Sequence, residues 1–149
     1  MKIRKARLVD VAVIADFNSR LAWETEKLQL DPATVRLGVR ALLKDAAKGT
    51  YFVAEQGGVI VGQLLITYEW SDWRNGNFWW IQSVYVAAEF RARGVFRELF
   101  SHVQKLARSR RAVCGLRLYV EKHNRRAQQA YDRLGMHHAP YEIYETSFR

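Results

Sequence analysis

The apolar run Trp79-Trp80-Ile81-Gln82-Ser83-Val84-Tyr85-Val86 leads within a few residues into Arg91-Ala92-Arg93-Gly94-Val95-Phe96, which opens a helical pattern continuing to about Ser109. A strand that passes through a basic, glycine-containing turn into a helix start restricts the chain to α/β architectures and also creates an anion site. The unpaired N–H groups of the first helical turn, the positive end of the helix dipole and nearby guanidinium groups converge on one small volume. The expected ligand therefore carries phosphate.

The surrounding pattern supplies the rest of such a fold. Ile3 to Leu8 reads as an opening strand, and Asp10 as the cap of a helix carrying Val11, Ile14, Ala15, Phe17 and Leu21 on one stripe. Asp31-Pro32 starts a second helix that runs to about Ala47. Tyr51 to Glu55, the turn Gln56-Gly57-Gly58 and Val59 to Tyr68 predict a hairpin, and Asn75-Gly76 a further turn into the strand ending near Ala87. Behind Gly94, Val95, Phe96, Leu99, Phe100, Val103 and Leu106 share one helix face, which assigns Phe96 to the core. Val113 to Val120 reads as a strand, Asn124 as the cap of a helix from Arg125 to about Leu134, and Tyr141 to Phe148 as a last strand. The fold class is α/β, a mixed and mostly antiparallel central sheet flanked by helices on both faces. The strands ending at Val86 and Val120 should be parallel neighbours joined through the Gly94 helix.

At 149 residues with 49% apolar content, the chain reads as a single domain spanning 1–149. No apolar stretch is long enough to cross a bilayer and the basic N-terminus lacks a signal-peptide core, so a cytoplasmic location and no membrane association are expected. The single cysteine, Cys114, reads as a small buried strand residue, and no metal site is expected. A net charge of +9 suits nucleic acid, an anionic surface or a polyphosphate-bearing small molecule. Arg91, Arg93 and Arg97 flank the glycine turn, where cations are locally unfavourable unless an anion arrives.

The succession strand-Arg91-x-x-Gly94-x-Phe96-helix, then strand-Asn124-six residues-Tyr131-x-x-x-Gly135, resembles the GNAT superfamily of acetyl-coenzyme A-dependent N-acetyltransferases. The order of elements over almost the whole chain agrees with it. The family's loop carries Gly or Ala where this chain has Phe96, a departure that implies a loop slightly reshaped around the phosphates. The resemblance implies acetyl-CoA as cosubstrate, with its pyrophosphate on the backbone from Ala92 through Arg93, Gly94, Val95 and Phe96 to Arg97, and Arg91 as auxiliary charge. It implies that Val84, Tyr85 and Val86 pair through their backbone with the pantetheine arm. Asn124 would contact the pantetheine or cap region, and the Tyr131 hydroxyl would stand near the thioester sulfur as general acid, with a helix cap and a buried aromatic as the structural alternatives. The expected reaction is direct attack of a primary amine of a small molecule or peptide on the acetyl thioester.

The base is less defined. Gln82 occupies the position where some relatives keep a glutamate and cannot accept a proton. Glu69, Glu24 and Glu26 are the acidic candidates, acting through water that Ser83 could order, and Glu24 and Glu26 could also attract a cationic amine. Trp70, Trp73, Phe78, Trp79 and Trp80 crowd one hairpin, as an acceptor wall, a dimer surface or ordinary packing. Two other function classes remain open: a basic nucleic-acid-binding module, against which interspersed acidic residues weigh, and a coenzyme-binding sensor without catalysis. Nucleic acid is not the expected partner; an amine acceptor is, and a homodimer is the default assembly.

Overall fold

The computed structural model describes residues 1–149, which form two compact units, Met1–Leu118 and Tyr119–Arg149. The first unit holds β1 (Lys2–Lys5), α1 (Val11–Glu26), α2 (Pro32–Lys44), β2 (Thr50–Gln56), β3 (Val59–Ser71), β4 (Gly76–Val86), α3 (Val95–Arg108) and β5 (Val113–Arg117). The second holds α4 (Arg125–Arg133). The sheet runs in the order β1-β2-β3-β4-β5, antiparallel throughout except for the parallel β4–β5 pair that the α3 crossover requires.

Strand alternation divides the core between the two faces of the sheet. Tyr51, Val53 and Leu65 pack with Ile14, Ala15 and Val39 of α1 and α2. Phe52 turns the other way, its ring edge-on to His102 of α3. Gly62 also faces α3: a Cβ there would come within 2.9 Å of Val95 Cγ1, so the missing side chain lets helix and sheet approach. On α3 the inward stripe Val95, Leu99, Phe100, Val103 and Ala107 is buried, as the 3.6-residue period predicts. Phe96 departs from that prediction. It is only half-buried at the margin of the stripe, tilted against Phe100 with ring centroids 6.0 Å apart.

Other expectations are also revised. Asp10 precedes α1 but makes no side-chain cap bond. Instead its buried carboxylate accepts from the Arg7 N–H at 2.7 Å and from the Arg4 guanidinium at 2.8 and 3.2 Å, while Arg4 also reaches Glu55 at 2.7 Å. The α2 helix stops at Lys44 rather than Ala47, because Asp45 turns extended and its carboxylate takes up the Ala47 N–H. Cys114 is exposed, since β5 is an edge strand whose outward side chains meet solvent. The β5 ladder ends at Arg117, short of Val120. Segment 141–148, the expected last strand, takes no regular secondary structure, and its Tyr141, Ile143, Tyr144 and Phe148 are exposed. Its residues have strand propensity, but a strand forms only where a neighbour accepts its ladder.

The Arg4–Asp10 pair gives a pH-dependent term. Burial alone would raise the Asp10 pKa, but hydrogen bonds from Arg4 and Arg7 N–H outweigh it and hold the carboxyl below its ordinary 3.8. A depressed carboxylate stabilises the fold fully above its unfolded pKa and loses that contribution as pH falls through its folded one. Asp10→Asn is expected to cost about 2 kcal/mol at pH 7, less than a fully buried pair because Glu55 still holds Arg4. The difference from wild type should shrink below roughly pH 4 in urea unfolding; a pH-independent difference would remove the ionic account.

Candidate active site

The β4 strand is laddered differently along its two edges. Toward β3 it pairs along its length, from Ser71↔Gly76 to Gly62↔Val86. Toward β5 it pairs only from Asn77 to Trp80, the last partner of Trp80 being Arg117. From Ile81 to Val86 β4 has no β5 ladder, β5 itself ending at Arg117. An extended ligand can add there as another strand would.

Within this stretch the register slips. Leu65 faces Gln82 and Gln63 faces Tyr85, so Ser83 and Val84 share the space opposite Leu64. This is a β-bulge, and Ser83 sits in it at φ 49°, a left-handed conformation uncommon for a non-glycine residue. Such a conformation costs about 1–3 kcal/mol and persists where its surroundings over-determine it. The surroundings are polar and buried. Gln63 Nε2 donates to the Ser83 carbonyl at 3.1 Å and to Asn18 Oδ1 at 2.7 Å, and Asn18 Nδ2 donates to the Tyr51 hydroxyl at 3.0 Å. Burial raises the Tyr51 phenol pKa, against the opposing hydrogen bonds of Asn18 and Ser83. Sequence reasoning missed Gln63, Asn18 and Tyr51; the one available signal was a glutamine inside the apolar run Val61 to Ile66.

After β4 the chain makes a short 3-10 turn, Ala88–Phe90, and then the predicted loop. Ala92 at φ 60° and Gly94 at φ 83° are both left-handed, and α3 starts immediately behind Gly94 with no side-chain cap. A glycine is the natural residue for such a turn. The Gly94 carbonyl accepts the Glu98 N–H at 3.0 Å, which closes the first helical turn and leaves its leading donors directed out of the helix. Arg91, Ala92, Arg93 and Arg97 are exposed around this start, with Val95 buried as the helix anchor.

The arginines do not act alike. Arg91 donates through Nε to the Val86 carbonyl at 2.9 Å and through Nη2 to Glu24 at 2.7 Å, while its guanidinium lies 5.3 Å from the Tyr85 ring centre. The Tyr85 hydroxyl donates to the same Glu24 at 3.2 Å. Arg91 therefore ties the end of α1 to the end of β4, and Glu24 has its charge answered within the protein. Arg93 lies over Phe90, and an Arg97 Nη is 3.7 Å from where a Gly94 side chain would begin. Those two guanidinium groups flank the loop itself.

Glu69 lies on the α1/α2 face of the sheet, two residues along β3 from Thr67, which receives a hydrogen bond from Gln82. Its carboxylate accepts from Trp80 Nε1 at 3.1 Å and from Arg117 at 2.6 Å, and Arg117 stacks 3.7 Å from the Phe78 ring centre. Phe78 and Trp79 are buried, whereas Trp70 and Trp73 are 58% and 85% exposed. The aromatic hairpin thus divides into a packed base and an open tip.

In the second unit Asn124 caps α4, its Oδ1 accepting the Ala127 N–H at 3.2 Å. Tyr131 follows two turns later on the same helix edge, half-buried, and burial raises its phenol pKa. Gly135 at φ 86° ends the helix. No group of three or more His, Cys, Asp and Glu side chains is placed to hold a metal ion, and no helix is long and apolar enough to cross a membrane.

A mixed sheet with one strand edge open, running through a bulge to an uncapped helix start, defines a class of α/β protein that takes an extended ligand ending in an anion. The family description that matches, over residues 13–136, is the Acetyltransferase (GNAT) family. A possible acetyltransferase from Clostridium difficile 630 is 46% identical, with a TM-score of 0.94 over 99% of this chain and 97% of that one. The fold is shared with ribosomal-protein-alanine N-acetyltransferase from Brucella melitensis biovar Abortus 2308, at 18% identity and a TM-score of 0.79 over 99% of both chains. It is also shared with a predicted acetyltransferase with acetyl-CoA from Clostridium acetobutylicum, at 15% identity and a TM-score of 0.78 over 97% of this chain and 95% of that one. Among curated proteins no relative matches. The chain belongs to the GNAT acetyltransferase family and is an acyltransferase by class.

Proposed function

We propose that the protein transfers the acetyl group of acetyl-CoA to a primary amine of a small molecule or peptide by direct attack. The observation that carries this reading is the open stretch of β4 leading straight into the uncapped start of α3. The pantetheine amides pair with the backbone of Val84, Tyr85 and Val86, and the pyrophosphate is held by the N–H groups from Ala92 to Arg97, with Arg93 and Arg97 beside it. Left-handed Ala92 and Gly94 shape the loop for that anion, and half-buried Phe96 packs at the core margin against Phe100.

In the reaction the amine nitrogen bonds to the acetyl carbon as the carbon–sulfur bond breaks. Backbone N–H at the β4 bulge polarises the carbonyl as negative charge develops on its oxygen. Tyr131 gives its proton to the departing coenzyme thiolate, Asn124 holds the head of the same helix, and the proton lost by the amine leaves through a file of waters that starts at Ser83 and runs along the α1/α2 face of the sheet toward Glu69, five β3 positions away in register. Glu24, engaged by Arg91 and Tyr85 much as Glu69 is by Arg117 and Trp80, is the alternative acceptor.

The test is thermal unfolding with coenzyme A and acetyl-CoA, followed by thiol release across polyamines, aminoglycosides, amino acids and peptide N-termini. At ligand 100-fold above Kd, stabilisation of about 2.7 kcal/mol is expected, a rise in melting temperature of roughly 5 °C or more. Stabilisation by short oligonucleotides with none by the coenzyme would overturn the proposal. Stabilisation without thiol release from any amine class would leave a sensor in its place.

A further inference from the structure

The bulge on β4 is strained at Ser83, yet nothing in its own sequence favours the left-handed conformation; glycine, asparagine or aspartate would. What holds it lies beneath the sheet. Gln63 is fully buried, with 0% exposure, and spends both amide hydrogens on Asn18 Oδ1 and the Ser83 carbonyl. Those two acceptors fix which end of the amide points where, because a flipped Gln63 would set its oxygen against two other oxygens. The consequence is an orphan: Gln63 Oε1 is buried without a partner. A leucine or methionine at this position would carry no such penalty, so stability alone is a poor reason for a glutamine there.

Resting on the acetyl-transfer reading above, we propose that Gln63, Asn18 and Tyr51 are positioning residues for the reaction. The chain of hydrogen bonds from Tyr51 through Asn18 to Gln63 pins the Ser83 carbonyl on the α1 side of the sheet. Pinning that carbonyl fixes the following peptide plane, and so the direction of the Val84 N–H. That N–H is the donor aimed at the acetyl oxygen. Without the network Ser83 relaxes toward an ordinary extended conformation, Ser83 and Val84 shift register against Leu64, and the donor turns away from the thioester. The neighbouring Tyr85-Val86 backbone keeps its pairing with Gln63 and Gly62 in β3, so coenzyme affinity is largely spared.

The experiment is infrared difference spectroscopy of acetyl-CoA labelled with carbon-13 at the acetyl carbonyl, bound to wild type and to Gln63→Met, with affinity measured by calorimetry. In wild type the carbonyl band is expected below its frequency in free acetyl-CoA. In Gln63→Met most of that shift should vanish while Kd stays within about threefold. Should Gln63→Met fail to fold, Asn18→Ala, at a half-buried helix position, is expected to lose part of the shift at similar affinity. A folded variant with lowered melting temperature but an unchanged band would overturn the positioning role and leave a structural one. Wild type binding acetyl-CoA without a band shift would overturn it as well. Wild type failing to bind acetyl-CoA would instead remove the acetyl-transfer reading on which it rests.

Discussion

Tyr131→Phe is expected to lower turnover by roughly 100-fold or more at saturating amine, while the Kd for acetyl-CoA stays within about threefold. The substitution removes one oxygen and keeps the ring, so the packing of α4 and the cap at Asn124 survive. What disappears is the proton that the proposed mechanism gives to the leaving thiolate. A phenol suits this task because its ordinary pKa of 10.0 is raised further by burial, which keeps it protonated across the physiological range. The acid is therefore available at neutral pH and is lost only as pH rises through that elevated value. In wild type the alkaline limb of kcat should accordingly lie above pH 10, and in Tyr131→Phe that limb should be missing from the residual rate. Thiol release at saturating amine over a pH series separates these outcomes. Turnover unchanged in Tyr131→Phe would remove the general-acid role and leave Tyr131 as an aromatic of α4.

The second large effect lies in the core. Phe100→Ala is expected to cost about 3–5 kcal/mol, a large part of the 5–15 kcal/mol that holds a domain of this size together. Phe100 is 1% exposed on the inward stripe of α3, and next to it Leu99 is fully buried against the Gly62 gap. Truncation leaves a cavity that neighbouring side chains fill only in part, because helix and sheet are already held at close range where Gly62 has no side chain. Urea unfolding should show a lower midpoint at unchanged slope. The turn proposed to hold the pyrophosphate opens the same helix, so the variant should also regain part of its lost stability when acetyl-CoA is added, by mass action on the folded state. A loss below about 1 kcal/mol would mean that α3 collapses into the space.

What could be read in the sequence divides along the distance over which each feature is determined. The Gly94 turn, the α3 stripe, the Asn124 cap and the two hairpin turns depend on neighbours a few residues away and appear where the pattern places them, except that Phe96 and Leu106 of the stripe are only half-buried. The parallel β4–β5 pair follows from chain handedness. The bulge at Ser83 does not, because it is a slip between two strands and neither strand records it alone. Arg91 likewise looked like a free cation at a helix start; its partner Glu24 lies 67 positions earlier and meets it only through the docking of α1. Asp10 departs from its expected cap role for a related reason, as Arg4 and the Arg7 N–H outcompete the helix for its carboxylate. The aromatic content of 141–148 is a strand signal, yet these residues form no regular element, and Phe96 is assigned to the core by a periodicity that blurs at the first turn of a helix.

The β4 edge left without a β5 ladder beyond Trp80 has a consequence for how such a protein tolerates change. The backbone grip proposed for that edge uses atoms that every residue type possesses, so most substitutions along it should leave the grip unaltered. Side chains there are released to satisfy packing on either face, and sequence can drift while the shape persists. The exceptions are the few positions where the main chain itself adopts an unusual conformation. Ser83, Ala92 and Gly94 are those positions in this chain, and they mark where drift should be slowest.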